Sequence, residues 1–195
     1  MSVDLGPLRA ALEGGGLCAL LCDRGVAEAV RPVWGVRAGP DFAGRARTVA
    51  AWAGGLDAVR RAVRELGRGD VLVVAARGLE AALLGDTLAA AAAARGAVGA
   101  VVDGYVRDLA ALGAGGLGVR ARGAFPRRAS AAGASRGASD AASDVAVDLA
   151  GVRVIPGDVV VADADGVVVV PGRRLETVVA GLPAWLAAER NAGPS

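Results

Sequence analysis

The sequence contains no histidine and no lysine, so all 22 of its basic residues are arginine. Without lysine, the chain cannot form a Schiff base on a side-chain amine. Without histidine, it cannot build a Ser-His-Asp triad, a Cys-His pair or a histidine-ligated metal site. Any acid-base chemistry must therefore use carboxylates, Tyr105, a cysteine or water. A metal site made from side chains would favour hard cations that prefer oxygen ligands.

Cysteine is scarce, and long apolar runs are missing. Cys18 and Cys22 stand four residues apart in an apolar segment, which predicts two thiols on one buried helix face rather than a redox or metal pair. The N-terminal residues have no signal-peptide pattern, and no stretch approaches the roughly 20 apolar residues of a membrane span. We therefore expect a cytoplasmic protein that does not bind membranes.

The bulk composition predicts one globular domain over residues 1–195. Apolar residues make up 54% of the chain and charged residues 22%, which is typical of a globular protein with a substantial core. The formal charge is only +2, and no basic run is interleaved with aromatic residues. These features argue against a nucleic-acid partner.

The residue pattern predicts an α/β fold around a βαβ unit. Val71–Ala76 is a short apolar run bounded by turn signals, Thr87–Arg95 is an alanine-rich helix, and Ala97–Val102 is a second apolar run. Strand, helix and strand in this order predict a parallel pair with a right-handed crossover. Further predicted helices are Leu5–Leu12, Leu17–Val30, Leu56–Leu66 and a closing Leu175–Glu189. Further predicted strands are Gly44–Trp52, Val119–Arg122, Val145–Val154, Val159–Ala162 and Val167–Val170. Predicted loops are Pro32–Asp41 and the low-complexity Ala129–Ser143.

Both ends of the segment from Gly85 to Asp108 contain residues that can bind a ligand or take part in catalysis. Gly85 and Asp86 stand at a predicted helix start, where free backbone N–H groups and the helix dipole favour an anion. Taken alone, this pair is better explained as an ordinary helix cap. The residues from Asp103 to Asp108 are predicted to form a turn after the second strand, at the edge where parallel sheets usually bind ligands. There Arg107 offers a planar donor and Asp108 a hard oxygen ligand. On spacing alone, an inert surface ion pair explains Arg107 and Asp108 equally well.

Asp163 and Asp165 resemble part of a calcium loop. The other ligand positions of such a loop are missing, because a valine run follows immediately. The sequence around them therefore predicts a hairpin turn between two strands.

Several motifs together resemble the RraA-like family. This family includes 4-hydroxy-4-methyl-2-oxoglutarate and 4-carboxy-4-hydroxy-2-oxoadipate aldolases and the regulator of ribonuclease E activity. The resemblance covers residues 17–189, and Asp86, twenty intervening residues and then Arg107-Asp108 match the spacing of its active members. The motifs are GRARTV from Gly44, GDVLVV from Gly69, GDTL from Gly85, RGAVG from Arg95, DGYVRD from Asp103 and PGDVVVADADGVVVVP from Pro156.

The resemblance implies a fold and an assembly. The expected fold is a swivelling β/β/α sandwich with the βαβ core and a C-terminal helix. The expected assembly is a homotrimer or homohexamer with sites between subunits.

The resemblance also implies a role for each site residue. Asp108 would ligate a divalent cation, Mg²⁺ or Mn²⁺, and Arg107 would contact the ketone and enolate oxygen of a small 2-oxo acid. Asp86 would orient a water ligand of the metal or transfer protons. The substrate site would be lined by residues whose backbone amides bind the carboxylate of the substrate: Gly85, Asp86, Thr87 and Leu88.

These roles fit a lyase that acts through a pyruvate enolate, by retro-aldol cleavage or by decarboxylation of an oxaloacetate-like acid. The enolate charge needs a Lewis acid and a fixed donor. Since lysine is absent, a metal-dependent route is the standard aldolase solution open to this chain. Two alternatives stay open: a non-catalytic regulator that binds a ribonuclease, and a different reaction on the same scaffold.

Overall fold

The computed structural model describes residues 3–31, 34–51, 55–76, 79–129 and 142–192. The helices are α1 (Gly6–Leu12), α2 (Leu17–Asp23), α3 (Leu56–Glu65), α4 (Asp86–Ala94), α5 (Leu109–Ala114), a short 3-10 helix (Gly172–Arg174) and α6 (Leu175–Ala192). The strands of the first half are β1 (Glu28–Ala29), β2 (Val36–Ala38), β3 (Phe42–Ala50), β4 (Asp70–Ala75), β5 (Ala82–Leu84) and β6 (Gly99–Val106). Those of the second half are β7 (Gly118–Ala124), β8 (Ala142–Ser143), β9 (Val147–Leu149), β10 (Val152–Val154), β11 (Val159–Ala162) and β12 (Val167–Val170).

One large mixed sheet organises the molecule. Its strand order is β1-β12-β11-β3-β4-β6-β7-β2, with β5 added to β6 and β8 added to β3. The neighbours β3, β4, β6 and β7 are parallel, and α4 crosses over between β4 and β6. This arrangement confirms the predicted βαβ unit. The α/β fold and the C-terminal helix are also confirmed.

Helices and a hairpin cover both faces of the parallel strands. One face packs under α3, α4 and α5, and the opposite face packs against the β9–β10 hairpin and residues of β11 and β12. A third apolar cluster joins α1, α2 and α6 to β11 and β12. Strands buried on two faces need apolar residues at every position, which explains the continuous valine and leucine runs.

The prediction for residues 17–41 was partly wrong. Helix α2 ends at Asp23, because the chain turns at Gly25, whose φ is +64°. Residues 28–29 then pair with β12, and residues 36–38 pair with β7 at the edge of the sheet. These short strands depend on partners that are distant in sequence, so no local periodicity marks them. Residues 32–33 lie outside the described residues.

The prediction for the second half also needs correction. The predicted strand Val145–Val154 is two antiparallel strands, β9 and β10, because Ala150 and Gly151 both take positive φ and form a turn. Of the predicted loop Ala129–Ser143, residues 130–141 lie outside the described residues. Ala142–Ser143 pairs with β3 as β8. The hairpin predicted around Asp163 is confirmed by the register of β11 against β12.

Cys18 and Asp163 are both structural. The buried Asp163 carboxylate accepts hydrogen bonds from the N–H groups of Cys18, at 2.8 Å, and Asp165, at 2.9 Å. Burial, and after it the charge of Asp163, raises the pKa of the Cys18 thiol, which therefore stays protonated at neutral pH. Cys22 is half-buried on the same helix face, as predicted. None of the helices described is both long enough and apolar enough to cross a membrane.

Candidate functional site

The two ends of the Gly85–Asp108 stretch lie side by side. Strand β5, which the sequence did not predict, pairs with β6 and leads directly into Gly85. The Arg107 N–H then donates to the Leu84 carbonyl at 3.0 Å. Strand β6 continues through Val106, so the turn predicted over Asp103–Asp108 is wrong for its first four residues. Asp103 pairs with β4, and Tyr105 and Val106 pair with β5 and β7, so the chain stays extended through Val106. Arg107 and Asp108 then leave the sheet at the N-terminal end of α4.

Gly85 allows the side chains of Asp108 and Arg107 to pack closely against its Cα. It caps α4 with extended backbone, φ −145° and ψ −172°. A Cβ at this position would lie 2.7 Å from the Asp108 Oδ2 and 3.2 Å from the Arg107 Cγ. Any larger residue would therefore push both side chains away from the helix end. Glycine serves here for close approach rather than for a left-handed backbone.

Asp108 presents its carboxylate to the amide end of α4. Its backbone is left-handed, φ 61° and ψ 44°, and caps α5, with the Leu112 N–H donating to its carbonyl at 3.0 Å. Its Oδ2 lies 3.5 Å from the Asp86 N–H and 3.2 Å from the Arg107 Nε. Its Oδ1 has no hydrogen-bond partner among the described residues. One carboxylate oxygen is thus oriented by the protein, and the other faces outward.

Arg107 is held at one nitrogen only. Its Nε pairs with Asp108, and its side chain is 36% exposed. Its two terminal nitrogens have no protein partner in the described part of the chain. They are therefore free to donate to a carbonyl or carboxylate oxygen of a ligand.

Asp86 is bound back onto its own helix. Its Oδ1 accepts hydrogen bonds from the Thr87 N–H at 2.6 Å and from the Thr87 hydroxyl at 3.0 Å. These bonds lower the pKa of the exposed Asp86 carboxyl, with smaller contributions from Asp108 and Arg107. Asp86 is therefore an anion at neutral pH, and its Oδ1 is already used as a hydrogen-bond acceptor.

Only some of the backbone N–H groups at this helix end are available to bind a ligand. The N–H of Thr87 is used by Asp86, and the N–H of Asp86 points at Asp108. The N–H groups of Gly85 and Leu88 make no hydrogen bond to any other described residue. Of the four residues predicted to hold a carboxylate, these two have amides free for that purpose.

A cleft of about 140 Å³ opens over this helix end, and we call it the Gly85 cleft. All five predicted site residues that precede Asp108 line it, whereas Asp108 itself does not. The lining also includes two arginines that the sequence gave no reason to place here, Arg60 and Arg128. Arg60 belongs to α3, and Arg128 follows β7, so only the packing of three separate segments brings them to Arg107. The lining residues are Leu56, Arg60, Ala82, Leu83, Leu84, Gly85, Asp86, Thr87, Leu88, Arg107 and Arg128.

Another arginine lies in the core. Arg120 is 2% exposed, and its Nη2 donates to the Asp41 Oδ1 at 2.6 Å. Its guanidinium carbon lies 5.4 Å from the centre of the Phe42 ring. Burial lowers the pKa of Arg120, and the charge of Asp41 opposes that effect. This pair does not line the Gly85 cleft, and its contacts serve packing.

The donor set at the Gly85 cleft fits a hard cation with few protein ligands. Within the described ranges, no three His, Cys, Asp or Glu side chains cluster closely enough to enclose a metal. Asp108 with its outward Oδ1, and Asp86 beside it, are the carboxylates present. A cation here would complete its shell with water and ligand oxygens, which is the pattern Mg²⁺ prefers.

Comparisons with known proteins agree with this fold. A relative from Albidiferax ferrireducens, provisionally named a 4-hydroxy-4-methyl-2-oxoglutarate aldolase, is 43% identical over 106 residues, which cover 54% of this chain and 58% of that protein. A relative from Halalkalibacterium halodurans with the same provisional name is 36% identical over 137 residues, covering 70% of this chain and 62% of that protein. The chain therefore matches less than two thirds of the length of either relative.

A solved structure and a family model extend the match. The crystal structure of Streptomyces coelicolor RraAS2, described as an unusual member of the RNase ES inhibitor RraA protein family, is 31% identical. It superposes with a TM-score of 0.75, covering 100% of this chain and 99% of that one. The model of the RraA-like family, described as Aldolase/RraA, matches residues 16–169. Since this match includes most of the sequence and all the residues of the Gly85 cleft, the chain belongs to the RraA-like family.

Proposed function

We propose that this protein is a divalent-metal-dependent lyase that cleaves a small 2-oxo acid through a pyruvate enolate. The observation that carries the proposal is the meeting of Arg107 and Asp108 with the N-terminal end of α4. Each keeps polar atoms unengaged by the described protein. Arg107 and the helix end line the Gly85 cleft, and the Asp108 Oδ2 lies 3.2 Å from the Arg107 Nε and 3.5 Å from the Asp86 nitrogen. The names of the two aldolase-like relatives support the same class of reaction.

Each residue then has a task that its geometry permits. The free N–H groups of Gly85 and Leu88 would hold the substrate carboxylate, and the terminal nitrogens of Arg107 would donate to the adjacent ketone oxygen. Asp108, through its outward Oδ1, would hold a Mg²⁺ or Mn²⁺ ion. That ion would supply Lewis-acid stabilisation of negative charge on the substrate.

The bond changes of the cleavage balance without an external oxidant or reductant. In a 4-hydroxy-2-oxo acid, the C3–C4 bond breaks and its electron pair moves into the C2 carbonyl. The C4 hydroxyl loses its proton to water oriented by the ionised Asp86, and a new carbonyl forms at C4. A proton returned to C3 then gives pyruvate. Arg107 donates most strongly when charge on the C2 oxygen is greatest, so it stabilises the transition state more than the substrate.

The test is pyruvate release by the purified full chain. With Mg²⁺ or Mn²⁺ present, we expect release from 4-hydroxy-4-methyl-2-oxoglutarate or oxaloacetate, and loss of release with EDTA. Arg107→Ala should lower kcat/KM about 100-fold, because it removes one positioned donor to the developing charge. Arg47→Ala is the matched control, since Arg47 is an equally exposed arginine paired with an aspartate elsewhere in the fold. Release that persists with EDTA and with Arg107→Ala would refute the proposal.

A second function has support from one comparison. The Streptomyces relative that matches along its whole length is described as belonging to a family of ribonuclease inhibitors. If the chain binds a ribonuclease and releases no pyruvate from any 2-oxo acid, the regulatory role replaces the lyase. If both activities appear, Arg107→Ala should lower kcat/KM for the cleavage about 100-fold and leave the ribonuclease binding unchanged.

A further inference from the structure

Three arginines line the Gly85 cleft, and they differ in the protein groups that their guanidinium groups already contact. Arg107 pairs with Asp108 through Nε. Arg60 is engaged with Asp57, one helical turn away on α3, at 2.9 Å. Arg128 makes no hydrogen bond or ion pair to another described residue, although it lines the cleft. Arg128 is therefore the cation of this cleft that the described protein leaves uncompensated.

The backbone that carries Arg128 is firmly anchored. Ala82 and Arg128 form a parallel bridge. The Ala82 N–H donates to the Arg127 carbonyl at 2.8 Å, and the Ala129 N–H donates to the Ala82 carbonyl at 2.9 Å. Since β5 begins at Ala82 and leads straight to Gly85, the same short strand positions the amide end of α4 and the Arg128 side chain.

The neighbouring arginine shows that this arrangement is specific to one position. Arg127 lies outside the lining of the cleft, donates through Nη2 to the Glu80 carbonyl at 3.1 Å, and stacks over Phe125 at 5.6 Å. Arg127 is thus committed to local packing. Arg128, next to it, lines the Gly85 cleft, and its guanidinium has no partner among the described residues.

We propose that Arg128 binds the distal carboxylate of a 2-oxo dicarboxylate and so selects diacids over monoacids. This inference rests on the lyase function proposed above. The reacting end of the substrate has its own partners in Arg107, Asp108 and the free amides of α4. A second carboxylate at the far end would need a separate cation, and a guanidinium matches a carboxylate with two parallel N–H donors.

The first experiment measures binding without turnover. Pyruvate and 2-oxoglutarate share the 2-oxo acid group, and only 2-oxoglutarate carries a distal carboxylate. Isothermal titration calorimetry of the full chain with Mg²⁺ present should show that Arg128→Ala weakens 2-oxoglutarate binding about tenfold or more. This is the change expected when one charge-assisted hydrogen bond is lost. Pyruvate binding should change less than twofold. Arg127→Ala should leave both affinities unchanged, and Arg128→Lys should restore part of the affinity for 2-oxoglutarate.

The second experiment makes the same comparison during catalysis. Arg128→Ala should raise KM for 4-hydroxy-4-methyl-2-oxoglutarate by a similar factor. It should leave unchanged the exchange of the pyruvate methyl protons with deuterium in D₂O, which needs enolate formation and no distal carboxylate. If Arg128→Ala weakens pyruvate and 2-oxoglutarate equally, or weakens neither, the role of Arg128 is refuted and the lyase stands. If the unaltered chain neither binds these acids nor exchanges the pyruvate protons, the lyase itself is refuted, and this inference with it.

Discussion

Two arginine–aspartate pairs in this protein look alike when each is viewed alone. Arg47 lies 3.1 Å from Asp144, and Arg107 lies 3.2 Å from Asp108, so both are ordinary ion-pair distances. All four side chains are about two-fifths exposed, and both aspartates have left-handed backbones. Neither the distance, nor the exposure, nor the backbone conformation separates them.

The pairs differ in what else holds the arginine. Arg47 also places Nε 3.5 Å from Asp70 and donates through Nη2 to the Glu65 carbonyl at 3.3 Å, so the protein engages each of its nitrogens. Arg107 is engaged at Nε alone. The first pair ties strands and a helix end together, and the second leaves donors directed at a cleft. In this comparison, Arg47 has no nitrogen left for a ligand, whereas both terminal nitrogens of Arg107 remain available among the described residues.

Replacing Asp108 and Asp144, each by asparagine, should give the largest difference in kcat/KM between the two pairs. Asp108→Asn should lower kcat/KM for pyruvate release about 100- to 1000-fold, because it removes the charge that would hold the proposed cation. Asparagine tolerates the left-handed backbone, so the change tests charge rather than strain. Asp144→Asn should leave kcat/KM within twofold of the unaltered protein. Equal losses in the two variants, measured by the same pyruvate assay, would mean that the site is misplaced.

Filling the space beside Gly85 should give the next largest effect. Gly85→Ala should reduce kcat/KM about 100-fold, since its Cβ would displace both Asp108 and Arg107 by enough to spoil their alignment. Gly113→Ala is the matched control, because no atom lies within 4 Å of a Cβ at that position in α5. It should stabilise the fold by about 0.5 kcal/mol, seen as a higher urea midpoint, with activity unchanged. Full activity in Gly85→Ala would show that the close approach is not needed.

The smallest effect concerns the titration of Asp86. Thr87→Val removes the hydroxyl and keeps the backbone N–H, so it should raise the pKa of the Asp86 carboxyl part of the way to its ordinary value. Because folding lowers this pKa, the bonds from Thr87 favour the folded state above the unfolded pKa. That contribution is lost as the pH falls through the folded value. Carbon-13 NMR of the carboxyl group measures the change, and Thr177→Val, on the exposed face of α6, should leave it at the unaltered value.

Much of the fold follows from local patterns. The run around Asp163 predicts its hairpin from two valine stretches and an Asp-Gly turn, and the alanine-rich stretch after Gly85 predicts α4 from helix propensity alone. The strands β2 and β5 escape prediction because each has three residues and is stabilised by a partner far along the chain. The turn expected at Asp103 fails for the same reason, since the pairing of Asp103 with β4 and of Tyr105 and Val106 with β5 and β7 overrides a turn-forming dipeptide.

Part of the candidate site could likewise be predicted from the sequence, and part could not. The spacing of Asp86 and Arg107-Asp108 in the sequence predicts that they meet, because a helix start and a strand end fall on one edge of a parallel sheet. No local signal distinguishes Arg128 from Arg127. The backbone bridge between Ala82 and Arg128 places the Arg128 side chain, and not that of Arg127, in the lining of the cleft.

The sequence by itself determined which chemistry is open to this protein. With no lysine and no histidine, arginine is the cationic side chain that can stabilise negative charge on a substrate, whatever the fold. The tertiary structure decided which arginines keep donors free for such a ligand. Every arginine carries the same guanidinium, and only the packing of α3, β5 and the segment after β7 determines which of them keep nitrogens free at the end of α4.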